Sequence, residues 1–173
     1  MRIVIDGYNL LKALPDCRGI EANDPEAARG YLVVQLGRYR WLRGHQITVV
    51  FDGWIGGHPI ERRSQASGVQ VIYSQRGEEA DAVIRRLAPQ VAHQGVVVTS
   101  DRTLASHVQQ LGADVISSVE FGERLRQALT AGEGGRRGEP ANAPDPPHPE
   151  RHKGASRRAS RGERERERKL RNL

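Results

Sequence analysis

Residues Met1-Arg-Ile-Val-Ile-Asp-Gly-Tyr-Asn-Leu-Leu11 open the chain and decide how the rest is read. Ile3, Val4 and Ile5 form a β-branched apolar run without polar alternation, the pattern of a strand buried on both faces. The run stops at Asp6, and Gly7 follows at once. Two further apolar runs stop in the same way: Val49-Val50-Phe51 at Asp52, and Val96-Val97-Val98-Thr99-Ser100 at Asp101. Aspartate is a common turn residue after a strand. Three apolar strands each ending in a carboxylate nevertheless point to a shared acidic site, at the edge where open α/β sheets hold their ligands.

The segments between these strands read as helices. Asp24 and Pro25 supply a cap and a first helical residue. Ala28, Leu32, Leu36 and Tyr39 give an apolar face, and Gly44 a stop. Leu10, Leu11 and Leu14 lead into a turn at Pro15-Asp16. Ala80, Val83, Ile84 and Leu87 mark the buried face of a helix that opens at Gly77-Glu-Glu-Ala-Asp81, with Asp81 in its first turn and aimed back toward the sheet edge. A helix from Asp101 and another from Ser117 or Ser118 complete the pattern, with short strands at 69–73 and 114–116. Gly53–Gly68 reads as an irregular loop. The expectation is a three-layer α/β, Rossmann-like fold: a mostly parallel sheet of about five strands flanked by helices.

Composition changes abruptly after residue 130. Residues 1–130 hold 15 Lys/Arg against 14 Asp/Glu, and residues 131–173 hold 12 against 7, so most of the net charge of +6 belongs to the tail. The expected division is a domain at 1–130 and a disordered Gly/Pro/Arg-rich tail at 131–173. Within that tail, 161–171 alternates charges as a transient solvated helix would, and the basic excess could add salt-sensitive affinity for RNA. The single cysteine, Cys17, excludes an internal disulfide and suits a reducing cytoplasm. No signal peptide or membrane span is expected.

Asp6, Asp52, Asp81 and Asp101 should meet in one cleft. Lys12 is the only lysine before residue 153, so the charge of four carboxylates calls for protons or a cation. Oxygen-only ligands select Mg²⁺ or Mn²⁺, and such an ion supports hydrolysis of a phosphodiester. Other acidic α/β chemistries fail on spelling. A haloacid-dehalogenase-type phosphatase needs an Asp where Tyr8 stands, a receiver domain needs a neighbouring acidic pair and a Lys, and Asp-Gly-Tyr-Asn is no dinucleotide fingerprint. The six histidines, at 45, 58, 93, 107, 148 and 152, lack metal-ligand spacing and read as surface or loop residues.

Ile5-Asp-Gly-Tyr-Asn-Leu-Leu11, Val50-Phe-Asp-Gly53, Gly77-Glu-Glu-Ala-Asp81 and Val98-Thr-Ser-Asp101 together resemble the NYN domain of the YacP-like group, in the PIN-like nuclease superfamily. The resemblance spans residues 1 to about 130. It implies a PIN-like fold and a Mg²⁺- or Mn²⁺-dependent ribonuclease. It also implies Asp6, Asp81 and Asp101 as metal ligands, Asp52 as a further one, and Asn9 as the group that orients a ligand or the scissile phosphate. Some relatives act as endonucleases on ribosome-associated mRNA, so the resemblance makes RNA (mRNA or rRNA) and the ribosome the partners to test.

The resulting expectation is a cytoplasmic endoribonuclease, with Tyr8, Trp54, Arg62, Arg63 and Arg102 as candidates for gripping RNA. Two rivals stand beside it. One is an RNA- or ribosome-binding protein with a vestigial acidic site, and the other a DNA-directed flap nuclease.

Overall fold

The computed structural model describes residues 1–53, 59–92, 94–134, 161–171 and 173. It contains strands β1 (Arg2–Asp6), β2 (Gln46–Phe51), β3 (Arg62–Ala66), β4 (Val69–Tyr73), β5 (Gly95–Val98) and β6 (Asp114–Ile116), in one sheet of order β3-β4-β2-β1-β5-β6. All neighbours pair in parallel except β3, which runs antiparallel to β4 on the outer edge. Parallel strands need covered crossovers, and helices supply them. These are α1 (Gly7–Ala13), α2 (Pro15–Glu21), α3 (Pro25–Arg43), α4 (Ala80–Val91), α5 (Arg102–Gln110) and α6 (Ser118–Gly134), followed by α7 (Arg161–Arg171).

The β-branched runs are buried on both faces because alternate residues serve two cores. Ile3, Ile5, Val49, Phe51, Val71, Val96 and Val98 pack with Leu10, Leu11, Leu32, Leu36, Tyr39, Phe121 and Leu125 of α1, α3 and α6. Val4, Val50, Ile72, Val97 and Val115 pack with Val83, Ile84, Leu87, Leu104 and Val108 of α4 and α5. The chain winds from β1 outward to β4, then returns to β5 on the other side of β1. That reversal opens a crevice between the carboxyl ends of β1 and β5, the place where such sheets bind ligands.

Several expectations need correction. Part of the supposed 53–68 loop is strand β3, although all five of its residues are exposed. The chain enters helix α1 directly from β1, and Pro15 begins helix α2 instead of an isolated turn. Helix α6 continues to Gly134. Residues 161–171 form α7, which is not merely solvated: Lys169 Nζ lies 2.7 Å from Asp114 Oδ2. Leu173 is buried, and its carbonyl accepts a hydrogen bond from the Tyr39 hydroxyl. His45 lies in a loop yet is buried, edge-on to the Tyr39 ring, whereas His107 is exposed on α5. The other four histidines, and tail residues 135–160, lie outside the described residues. Among the described residues no helix is long and apolar enough to cross a membrane.

Candidate active site

Asp6 ends β1 and at the same time caps α1. Its backbone is extended, and its Oδ1 accepts from the Asn9 amide at 3.0 Å, which satisfies a free helix N–H. The Asn9 side-chain amide donates to Oδ2 of the same carboxylate. Strand can pass into helix here without a loop only because residue 7 is glycine: a Cβ would lie 2.3 Å from Cε1 of the Phe51 ring. From β5, the Thr99 hydroxyl donates to Asp6 Oδ2 at 3.4 Å and accepts from the Asp101 amide at 3.1 Å. One hydroxyl therefore links the ends of the two strands that flank the crevice.

Asp52 and Asp101 also cap helices. Asp101 Oδ1 accepts from the Leu104 amide at 2.8 Å and starts α5. Asp52 reaches across from β2 to accept from the Ala80 amide at the start of α4, where Glu79 provides no side-chain cap. That junction is held by Ser74, whose buried hydroxyl accepts from Gly53 N–H at 2.9 Å and donates to the Glu78 carbonyl at 2.6 Å. Asp81 follows in the first turn of α4, half-buried, with Arg85 3.7 Å away.

Two of the four carboxylates, Asp6 and Asp81, are displaced from the ordinary value. Burial pushes Asp6 above the ordinary carboxylate value, the Asn9 and Thr99 hydrogen bonds pull it back, and the charge of Asp52 adds a smaller push. Burial also raises Asp81, reinforced by the charges of Asp6 and then Asp101, with Arg85 opposing. Each carboxylate is turned toward its own local donor or cation. Among the described residues no three His, Cys, Asp or Glu side chains are gathered as a metal-holding group. The donor chemistry still fits a hard divalent cation: the groups are all oxygens, and burial together with neighbouring like charge raises Asp6 and Asp81.

The other candidate residues are dispersed around this edge. Tyr8 packs edge-on to Phe51, and its hydroxyl accepts from Arg29 at 3.0 Å, so much of its ring serves the core. Arg102 is exposed at the start of α5, directly after Asp101. Arg62 and Arg63 lie on β3, paired with Tyr73 and Ile72. Arg63 Nε meets Glu61 at 2.7 Å, and Arg86 bridges Glu61 and Glu78, so Glu78 belongs to an ion-pair network. Trp54 lies outside the described residues.

Thr99, Ser74 and Arg85 join the site without having been expected there. Only Thr99 carries a sequence signal, a hydroxyl two residues before a strand-ending Asp. The partners of Ser74 and Arg85 become visible only once β2, β4 and α4 are assembled.

The fold and this acidic edge define an α/β domain of nuclease type. The YacP-like NYN domain model matches residues 3–145, and the chain belongs to that family, within the PIN-like nuclease superfamily. It is 34% identical over 104 residues to the uncharacterized protein YacP of Bacillus subtilis (strain 168), covering 58% of this chain and 61% of that protein. The aligned part thus spans less than two thirds of that relative. The crystal structure of Rae1 (YacP) from Bacillus subtilis superposes with a TM-score of 0.67 at 28% identity, over 79% of this chain and 80% of that one. A mutant form of the same Rae1 protein gives 0.65 at 29% identity, over 77% and 79%.

Proposed function

We propose that the chain is an endoribonuclease that hydrolyses RNA phosphodiester bonds with Mg²⁺ or Mn²⁺ held by Asp6, Asp52, Asp81 and Asp101. The observation that carries this reading is the gathering of carboxylates beside the β1–β5 crevice, where burial first, and then the charges of Asp6 and Asp101, raise Asp81. Carboxylates set against one another around a buried Asp6 cost the fold stability, and such perturbed groups cluster where a function uses them. When bound, a divalent ion supplies an activated water and offsets the charge that develops on the attacked phosphate.

The chain's own residues do the rest. Asn9 fixes both oxygens of Asp6, and Thr99 keeps Asp6 and Asp101 in register. Arg85 limits the negative charge on Asp81 and so moderates the set before substrate arrives. Arg102, Arg62, Arg63, Tyr8 and Trp54 are assigned to RNA contact, with mRNA or rRNA, free or on the ribosome, as the substrate class. Residues 1–130 make up the nuclease domain, and the basic tail adds salt-sensitive RNA affinity in the cytoplasm.

The test is a parallel assay of single-stranded RNA and structured DNA with Mn²⁺, and with EDTA as control. Cleavage of RNA that is lost in EDTA supports the reading. RNA binding without metal-dependent cleavage supports a vestigial site, and preferential cutting of the DNA supports a flap nuclease.

A further inference from the structure

The carboxyl edge is not the only polar surface of the sheet. On the α4 side, register places Asp6, Val50, Ile72 and Arg63 in one row across β1, β2, β4 and β3. The next row on the same face is Val4, Thr48, Gln70 and Gln65, and beyond it stand Arg2 and Gln46. Helix α4 covers the β1 side and leaves Arg63, Gln65, Gln70, Gln46 and Arg2 exposed. A groove of about 730 Å³ follows these residues, with Arg40 of α3 reaching Gly68 in the β3–β4 turn and Leu87, Gln90 and Val91 of α4 along its wall.

Its chemistry is one-sided. Among the described residues three arginines and four glutamines line it, and no carboxylate does. Arg63 is held by Glu61 through Nε. Among the described residues Arg2 is held by neutral groups, the Gln46 side chain at 3.3 Å and the Gln90 carbonyl at 3.1 Å. Positive charge with many amide donors suits the phosphodiester backbone and sugar edges of a nucleic acid strand. Arg63 stands three strands from Asp6 in the same row, roughly 14 Å at the usual strand spacing.

We propose that this open sheet face is an RNA-binding track, which takes the backbone of the single strand whose scissile bond lies at Asp6. The choice of RNA as ligand rests on the nuclease reading; the affinity of the groove for phosphodiesters does not.

The test uses two substitutions that preserve the fold's hydrogen bonds. The Gln46 side-chain oxygen accepts from Arg2, and that of Gln70 accepts from Thr48 at 3.1 Å, so Gln46→Glu and Gln70→Glu keep both acceptors while adding two negative charges. Binding of a fluorescent single-stranded 20-mer RNA, and of DNA of the same sequence, is measured by anisotropy on the full chain in EDTA, across a salt series. A melting curve confirms that the double variant is folded. The proposal expects about tenfold weaker RNA binding and a salt slope shallower by roughly 0.7 for each phosphate the groove no longer neutralises. Equal weakening for DNA supports recognition through phosphate alone, and a larger effect on RNA supports added recognition of ribose. An unchanged Kd and slope in the folded variant overturns the track, as does failure of the unsubstituted chain to bind either strand. Cleavage of a six-nucleotide RNA with Mn²⁺ is read separately. Its absence in a chain that binds through the groove refutes the nuclease reading and leaves the groove standing.

Discussion

The Thr99 hydroxyl donates to Asp6 Oδ2 across the seam between β5 and β1, at 3.4 Å, while accepting from the Asp101 amide. This hydrogen bond lowers Asp6 against the burial that raises it. Thr99→Val keeps the shape of the strand end and removes the hydroxyl. Losing a hydrogen bond of about 1 kcal/mol should slow RNA cleavage roughly fivefold. It should also shift the acid limb of the pH–rate profile upward, because Asp6 then holds its proton to higher pH. Thr99→Ser should restore both, and an unchanged acid limb would remove Thr99 from the site.

Asp81 carries a cost to the fold. Its folded-state pKa is raised above the ordinary 3.8, so the native state binds its proton more tightly and stability falls as pH rises above that value. Asp81→Asn should therefore raise Tm at pH 7.5 while lowering cleavage. A rise on the order of 2–4 °C corresponds to about 1 kcal/mol in a chain of this size. The gain should shrink toward pH 4, as Asp81 takes up its proton. Paired melting curves at the two pH values check it, and a variant less stable than the parent at pH 7.5 would contradict it.

The same repulsion predicts stabilisation by metal. Saturating Mn²⁺ at 100 times its Kd adds about 2.7 kcal/mol to a state that alone binds it. Tm should rise with Mn²⁺ in the parent chain and by much less in Asp6→Asn, as read by melting curves with EDTA controls. Equal shifts in both would place the ion elsewhere.

Ser74 anchors the junction that brings α4, and so Asp81, to the site. Ser74→Ala strips the partner from Gly53 N–H and from the Glu78 carbonyl, and should cost about 1–3 kcal/mol in denaturant unfolding. Gly53→Ala should be worse, since its Cβ would fall 1.8 Å from the Ser74 carbonyl oxygen. Wild-type stability in either variant would refute this account of the junction.

What the sequence displays and what it conceals follow from where each element takes its stability. β1, β2 and β5 are legible because burial on both faces demands unbroken apolar runs, and α3 because Asp24, Pro25 and Gly44 mark its ends with local chemistry. β3 is Arg-Arg-Ser-Gln-Ala, without any burial signature; its strand conformation comes from pairing with β4. Helix α1 is masked because one residue, Asp6, is at once the strand's last and the helix's cap. Helix α7 looks solvated by composition, and its attachment rests on Lys169, Leu170 and the chain's last residue meeting a distant surface. At the site, the run of strand-ending aspartates is visible in the sequence. The capping of α4 by Asp52 is not, because 28 residues separate Asp52 from Ala80.

The proposed joint role of Asp6 and Asp81 in cutting RNA stands or falls on their combined removal. The most direct measurement is the initial cleavage rate of one labelled single-stranded RNA in Mn²⁺, for the parent chain and for the Asp6→Asn, Asp81→Asn double variant, with folding of both verified. The double variant should lose roughly a hundredfold or more, the scale of removing a main electrostatic contributor to a transition state. Cleavage by the folded double variant at the parental rate would contradict it.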